Sequence, residues 1–224
     1  MKRNLLSLPL IFGSFITPTI AEEFNNFYLS VGGGIAFPSE LEGNTALRPT
    51  PYDTKFEPKN SGILSVGLGK EFNDIRFEFN YSKATFESNK FSLSSGGTGV
   101  SASVTPNYKA DLNSYMFYGY KDFSNNSKLT PYGGVGLGTA TISPKQQVLT
   151  TGGNNFNLSG ASSSVFTFGL KGGANYQISD NTSIYTEGTY QNLSSYKQRR
   201  EGFVDADYDA TGLFTITAGL KFDF

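Results

Sequence analysis

Residues 210–224, Ala210-Thr-Gly-Leu-Phe-Thr-Ile-Thr-Ala-Gly-Leu-Lys-Phe-Asp-Phe224, alternate in polarity. Phe224, Phe222, Leu220, Ala218, Ile216 and Phe214 form one series, with Asp223, Lys221, Gly219, Thr217 and Thr215 between them. A period of two predicts a β-strand with one apolar and one polar face. A soluble sandwich turns the apolar face inward. A closed barrel in lipid turns it outward and lines its interior with the polar face. The rest of the chain has to decide between them.

The 224 residues suit a single domain, rich in glycine and aromatics, which favours strands and loops over helices. There is no cysteine, so a disulfide framework and a thiolate metal site are both excluded. There is no histidine either, and the formal charge of −1 carries no basic stripe of the kind nucleic acid requires.

Met1-Lys2-Arg3 is basic, Leu5 to Ile16 is mostly apolar, and Thr19-Ile20-Ala21 places small residues where a signal peptidase reads. A signal peptide over residues 1–21 is therefore expected, with a barrel domain over 22–224. Pro9 and Pro18 interrupt the stretch, which is too short for a transmembrane anchor. Cleavage removes Lys2 and Arg3 but no acid, taking the charge from −1 to −3. No later apolar run approaches the roughly 20 residues of a spanning helix. A membrane-crossing mature chain must cross as strands.

The pattern of the last strand recurs along the chain. Strands are predicted over Phe27 to Phe37, Gly62 to Phe72 and Ile75 to Tyr81, then ending at Phe123. Further strands are predicted over Pro131 to Ala140, Phe166 to Ile178 and Ile184 to Tyr190, followed by the terminal one. Asn73-Asp74, Ser124 to Ser127 and Asp180-Asn181 are short turns. Polar stretches from Pro38 to about Asn60, Asn89 to Tyr108, Ser143 to Ser162 and Ser194 to Asp209 are expected as long loops.

The strand endings Lys70-Glu71-Phe72, Lys121-Asp122-Phe123, Tyr176-Gln177-Ile178 and Phe222-Asp223-Phe224 repeat, which gives four hairpin units and eight strands. Long and short connections alternate strictly, as in outer-membrane barrels. A strand of about ten residues at ~3.3 Å each, tilted ~40°, rises ~25 Å and matches the apolar band of such barrels. The expected fold is all-β, an eight-stranded antiparallel up-and-down transmembrane β-barrel.

Gly67-Leu-Gly-Lys-Glu-Phe72, Pro131-Tyr-Gly-Gly-Val-Gly-Leu-Gly138, Glu78-x-x-Tyr81, Glu187-x-x-Tyr190 and the terminal Phe224 carry a resemblance. With them the mature chain resembles small eight-stranded Gram-negative outer-membrane barrels, the opacity-protein and OmpA-like porin family of surface proteins. The resemblance implies outer-membrane localisation and makes Phe224 an assembly signal for the barrel-assembly machinery. OmpA-type proteins often add a peptidoglycan-binding domain after the barrel, and no such domain follows the eighth strand here, so cell-wall anchoring is not expected.

Outer-membrane enzymes of similar size use histidine as a base or as its partner, which leaves no catalytic residue to nominate. No cofactor or metal site is expected. Asp205-Ala-Asp-Tyr-Asp209 resembles the start of a calcium loop, but Ala210 stands at the glycine position and Ile216 at the twelfth. An eight-stranded interior is filled by side chains. Parity turns Arg76, Glu78, Lys171, Glu187, Lys221 and Asp223 inward with Tyr28 and Tyr132, as a paired lumen network in which Glu78 or Glu187 meets Lys171 or Arg76. Lys197, Arg199 and Arg200 are candidate contacts for lipopolysaccharide phosphates, against an ordinary solvated loop base. The expected function is a non-enzymatic surface protein, with envelope structure, adhesion and antigenic contact carried by its loops. Its partners would be outer-membrane lipids, lipopolysaccharide and host or neighbouring-cell ligands, not nucleic acid. The alternative is a small low-conductance porin-like channel.

Overall fold

Alternating strands leave unpaired edges unless the sheet closes on itself. In a computed structural model, residues 26–47, 50–95, 98–145, 147–151, 154–158, 160–198 and 206–224 are described. The expected signal peptide lies outside them. The described residues form β1 (Phe27–Pro38), β2 (Leu41–Leu47), β3 (Thr50–Pro58), β4 (Ser61–Phe72), β5 (Ile75–Ser95), β6 (Thr98–Asp122) and β7 (Leu129–Pro144). There follow β8 (Gln147–Thr151), β9 (Asn154–Leu158), β10 (Ser163–Ser179), β11 (Thr182–Leu193), β12 (Tyr196–Gln198), β13 (Ala206–Tyr208) and β14 (Thr211–Asp223).

Eight of these strands run as antiparallel neighbours in the order β5-β4-β1-β14-β11-β10-β7-β6, and β6 pairs back onto β5. The barrel is closed. Its seam joins the last strand to the first, with Leu29 opposite Phe222, Ile35 opposite Ile216 and Phe37 opposite Phe214. The apolar series faces outward, with Leu64 71% and Val135 64% exposed, whereas Tyr118 on the inner face is 1% exposed. Rings meet at both ends of this band, Phe72 with Phe77 at 6.1 Å and Tyr81 with Tyr115 at 5.2 Å. Such girdles mark the two interfaces of a membrane barrel.

The short turns close one end. Phe72 pairs with Ile75 across Asn73-Asp74, and Asn73 adopts φ 57°, a left-handed conformation that asparagine tolerates. The Asp74 carboxylate accepts from Lys121 Nζ at 3.0 Å and Ser124 Oγ at 2.9 Å, which ties two turns together. The Lys121 hydrogen bond, helped by Ser124, holds that carboxyl below its ordinary range.

The opposite end differs from expectation. The stretches read as long polar loops carry strands: β2 pairs with β3, β8 pairs with β9, and β5 and β6 continue as one ladder to Ser95 and Thr98. β13 joins β2, and β12 joins β13. Above β1, β4, β11 and β14 the wall therefore continues through β2, β3, β12 and β13 after two-residue breaks. Ser39 N–H donates to Gly212 O and Lys59 N–H to Glu87 O, so the backbone bonding carries across two of those breaks. Above the lipid the outer face is polar and the inner face carries only scattered apolar residues, so the alternation that betrays a strand is weak.

Orientation is testable because the chain has no cysteine of its own. Single cysteines at Asn44, Gly97, Gly153 and Asp205 are expected to react with maleimide on intact cells, and cysteines at Asn73, Asn126 and Asp180 are not. Labelling of the second set before the first would reverse the topology. Asn44 lies on β2, whereas Gly97, Gly153 and Asp205 lie outside the described residues.

Candidate functional site in the barrel lumen

Each inward side chain of a closed barrel must find its partners inside it, because water is scarce there. Lys171 on β10 is the centre of the network. Its Nζ stands 2.9 Å from Glu187 Oε1 and 3.9 Å from Glu78 Oε1, with the Tyr118 ring centroid at 4.4 Å. Neutral donors take up the remaining carboxylate capacity. Glu78 accepts from Tyr120 Oη (3.0 Å), Asn80 Nδ2 (3.0 Å) and Ser30 Oγ (3.1 Å). Glu187 accepts from Tyr132 Oη (3.0 Å) and Thr217 Oγ1 (3.3 Å). A buried ion pair persists when its spare lone pairs are satisfied in this way.

Arg76, one strand-step toward the turns, is held differently. Its Nε donates to Asp122 Oδ2 at 2.8 Å, and its guanidinium carbon lies 4.6 Å, 4.7 Å and 5.5 Å from the rings of Tyr120, Tyr132 and Tyr28. Arg76 Nη2 has no hydrogen-bond partner among the described residues. The three ring faces supply the cation–π environment that a desolvated guanidinium favours. At the turn-side mouth Lys221 Nζ reaches Glu71 at 2.5 Å and Asp223 at 2.8 Å.

Glycines make room for these rings. Tyr118 lies opposite Gly136, Tyr120 opposite Gly134, Tyr28 opposite Gly69, Tyr132 opposite Gly173 and Tyr185 opposite Gly219. A Cβ on Gly136 would overlap the Tyr118 ring, and one on Gly134 would overlap Tyr120. The glycine-rich run on β7 is thus the floor on which the β6 tyrosines lie flat. Beside the network are voids of about 10 Å³ and about 20 Å³. Each has room for roughly one water.

Toward the outer end the lumen changes character. Ala36, Ile63, Ala84, Leu112, Ala140, Val165, Leu193 and Leu213 form a buried apolar cluster, extended upward by Phe56, Tyr196 and Tyr208. The lining is polar at the turn-side and middle levels of the barrel and apolar above them. The cluster begins inside the lipid band, where Ala36 and Ile63 adjoin the outward Ile35 and Leu64, and continues into the wall above it.

Residues 7–222 match the family model described as the outer membrane protein beta-barrel domain. The chain belongs to this family. Over 103 residues it is 35% identical to the outer membrane protein PagN of Salmonella typhimurium, an alignment covering 44% of this chain and 43% of that one. The chain thus spans less than half the length of this relative. Among solved structures it is similar to the outer membrane protein OprG of Pseudomonas aeruginosa, at 15% identity and TM-score 0.57, covering 89% of this chain and 97% of that one. The outer membrane protease OmpT of Escherichia coli is similar at 11% identity and TM-score 0.54, covering 90% and 97%. These two likenesses are of fold alone.

As a member of the outer membrane protein beta-barrel domain family, the chain resides in the outer membrane and turns its apolar band to the lipid. Five of its network residues, Arg76, Glu78, Lys171, Glu187 and Lys221, are buried in the lumen, and Asp223 is half-buried at the mouth. The structure brings Glu187 and Glu78 to Lys171 but gives Arg76 to Asp122, a residue absent from the expected set. Tyr118, Tyr120 and Met116 were missed with it. β6 reads Tyr115-Met-Phe-Tyr-Gly-Tyr120, aromatic on both faces, so its parity is silent until Asp122 is aligned with the inward Arg76. Lys197 is exposed on β12 and paired with Asp207 at 3.1 Å, so it is not a free cation; Arg199 and Arg200 lie outside the described residues.

Phe224 N–H donates to Phe27 O at 2.9 Å, and its ring is 47% exposed beside the seam. Deleting Phe224 should leave the chain exported but poorly inserted, read as a fall in heat-modifiable membrane-embedded protein. Insertion at the parental level would show that the terminus is no assembly signal.

Proposed function

We propose that this protein is a non-enzymatic surface protein, a rigid outer-membrane scaffold that presents its raised outer wall and loops for adhesive or antigenic contact. The carrying observation is the contrast between the two halves of the barrel. Within the membrane the lumen is filled by Lys171, Arg76, their carboxylates and the tyrosines stacked on glycines. Outside it, β5 and β6 run on to 21 and 25 residues and lift the connections well clear of the lipid. A sequence without histidine lacks the usual general base of outer-membrane hydrolases. Host or neighbouring-cell ligands, with lipopolysaccharide phosphates around the wall, are the partners this reading assigns. Export through a cleaved leader and insertion by the barrel-assembly machinery belong to the same reading.

Two measurements test it. Refolded protein in a planar bilayer should give no resolved single-channel steps; steady conductance would install the porin-like reading instead. Cells displaying the chain should adhere to host-cell monolayers better than cells displaying a variant with the β2–β3 and β8–β9 hairpins shortened. Equal adherence would remove the adhesive role.

A further inference from the structure

The outward face of β5, β6 and β7 turns polar where the lipid band ends. Lys83 lies one outward position above Tyr81 on β5, opposite the lipid-facing Leu64 of β4. Counted from Ile75, it stands ~20 Å up the wall at ~3.3 Å per residue and ~40° of tilt, against an apolar height of ~25 Å. A lysine at that level lays its stem on hydrocarbon and its ammonium among the headgroups. Lys83 is exposed and makes no ion pair among the described residues.

Its surroundings carry further polar groups. Asn113 on β6 stands opposite Lys83, Thr141 on β7 opposite Asn113, and Ser164 on β10 opposite Thr141, so one polar row crosses four strands. Higher on the same face, Lys109 pairs with Glu87 at 2.5 Å and Lys145 pairs with Asp111 at 3.0 Å. Surface pairs of this kind hold together weakly, so both ammonium groups remain available to a stronger anion. The patch therefore sets three cations against two carboxylates, directly above the lipid-facing Phe79, Phe117 and Leu137. Lys83 and Lys145 stand two strands and four positions apart, ~16 Å between backbones. That separation suits a headgroup with a phosphate at each end better than one with a single phosphate.

We propose that this patch is a binding site for the phosphorylated sugar headgroup of lipopolysaccharide. Lys83 and Lys145 hold its phosphates, Asn113 and Thr141 meet its hydroxyls, and its acyl chains run down the wall beside Phe79 and Phe117. The site rests on the lipopolysaccharide contact proposed above and moves it from β12 to the face of β5–β7. A charge-assisted contact to phosphate in this exposed position is worth several-fold in affinity.

The test uses the full mature chain in zwitterionic detergent micelles, titrated with fluorescently labelled lipopolysaccharide and read by anisotropy against empty micelles. Parallel titrations use the same glycolipid with its phosphates removed by phosphatase, and labelled phosphatidylglycerol. The parent is expected to bind the phosphorylated glycolipid several-fold to about tenfold more tightly than either. Lys83→Gln should remove most of that preference, and Lys83→Gln combined with Lys145→Gln all of it. Lys128→Gln, which removes an exposed charge at the turn-side end, should leave it unchanged. Heat-modifiable migration establishes that each variant has assembled. A parent that does not distinguish the phosphorylated from the dephosphorylated form would overturn the contact, and with it the lipopolysaccharide part of the proposed function. A preference that survives the double variant, or one that falls equally in Lys128→Gln, would overturn this site alone. Phosphatidylglycerol bound as tightly as the glycolipid would replace the sugar headgroup by a single phosphate.

Discussion

Lys171→Ala is expected to lower the unfolding free energy of the barrel by about 3–5 kcal/mol and to make the lumen conduct. Lys171 is the cation that Glu187 and Glu78 share, so its removal leaves two carboxylates facing each other across a dry interior. Water and ions are the available replacements. Glu187→Ala should cost less, because Glu78 stays 3.9 Å from the ammonium as a second partner. Combining Lys171→Met with Glu78→Gln and Glu187→Gln removes every charge of the cluster and should recover most of the loss, since neutral replacement of a buried ion pair is often harmless. Urea titrations followed by circular dichroism, with bilayer recordings on the same samples, give the order. A Lys171→Ala variant as stable and as silent as the parent would show that the lumen charges do not plug it.

Gly136→Val is expected to cost about 1–3 kcal/mol through overpacking. The added Cβ would run into the Tyr118 ring, and that ring is itself confined by Tyr120 at 5.7 Å and by the Lys171 ammonium. Displacing the ring weakens the Lys171 cluster as well, so a rise in conductance should accompany the loss of stability. Gly172→Val supplies the control: its Cβ would meet nothing within 4 Å. The pairing also predicts non-additivity, because Tyr118→Ala vacates the space that the introduced valine side chain needs. The double variant should be less destabilised than the sum of the two single changes. Strict additivity, or a Gly172→Val as damaging as Gly136→Val, would show that ring contact is not what the glycine protects.

The architecture was legible in the sequence because it rests on local rules. Period-two alternation assigns each residue of β14, β4 and β10 to a face without reference to any other strand, and the short turns at Asn73-Asp74 and Asp180-Asn181 set which strands are neighbours. The same parity placed Arg76, Glu78, Lys171, Glu187 and Lys221 in the lumen. Parity says nothing about height, however, and partners in a lumen are chosen by height. Arg76 meets Asp122 across 46 positions of sequence, and Lys221 meets Glu71 across 150, through registers that only the closed sheet defines. The glycines of Pro131-Tyr-Gly-Gly-Val-Gly-Leu-Gly138 were visible as a motif, but their purpose needs Tyr118 and Tyr120 laid opposite them on the next strand. The outer wall was hidden for a different reason. Its strands are polar on the solvent side and carry only scattered apolar residues within, Phe56, Tyr196 and Tyr208 among them. Their common core exists only once segments separated by most of the chain stand around one axis.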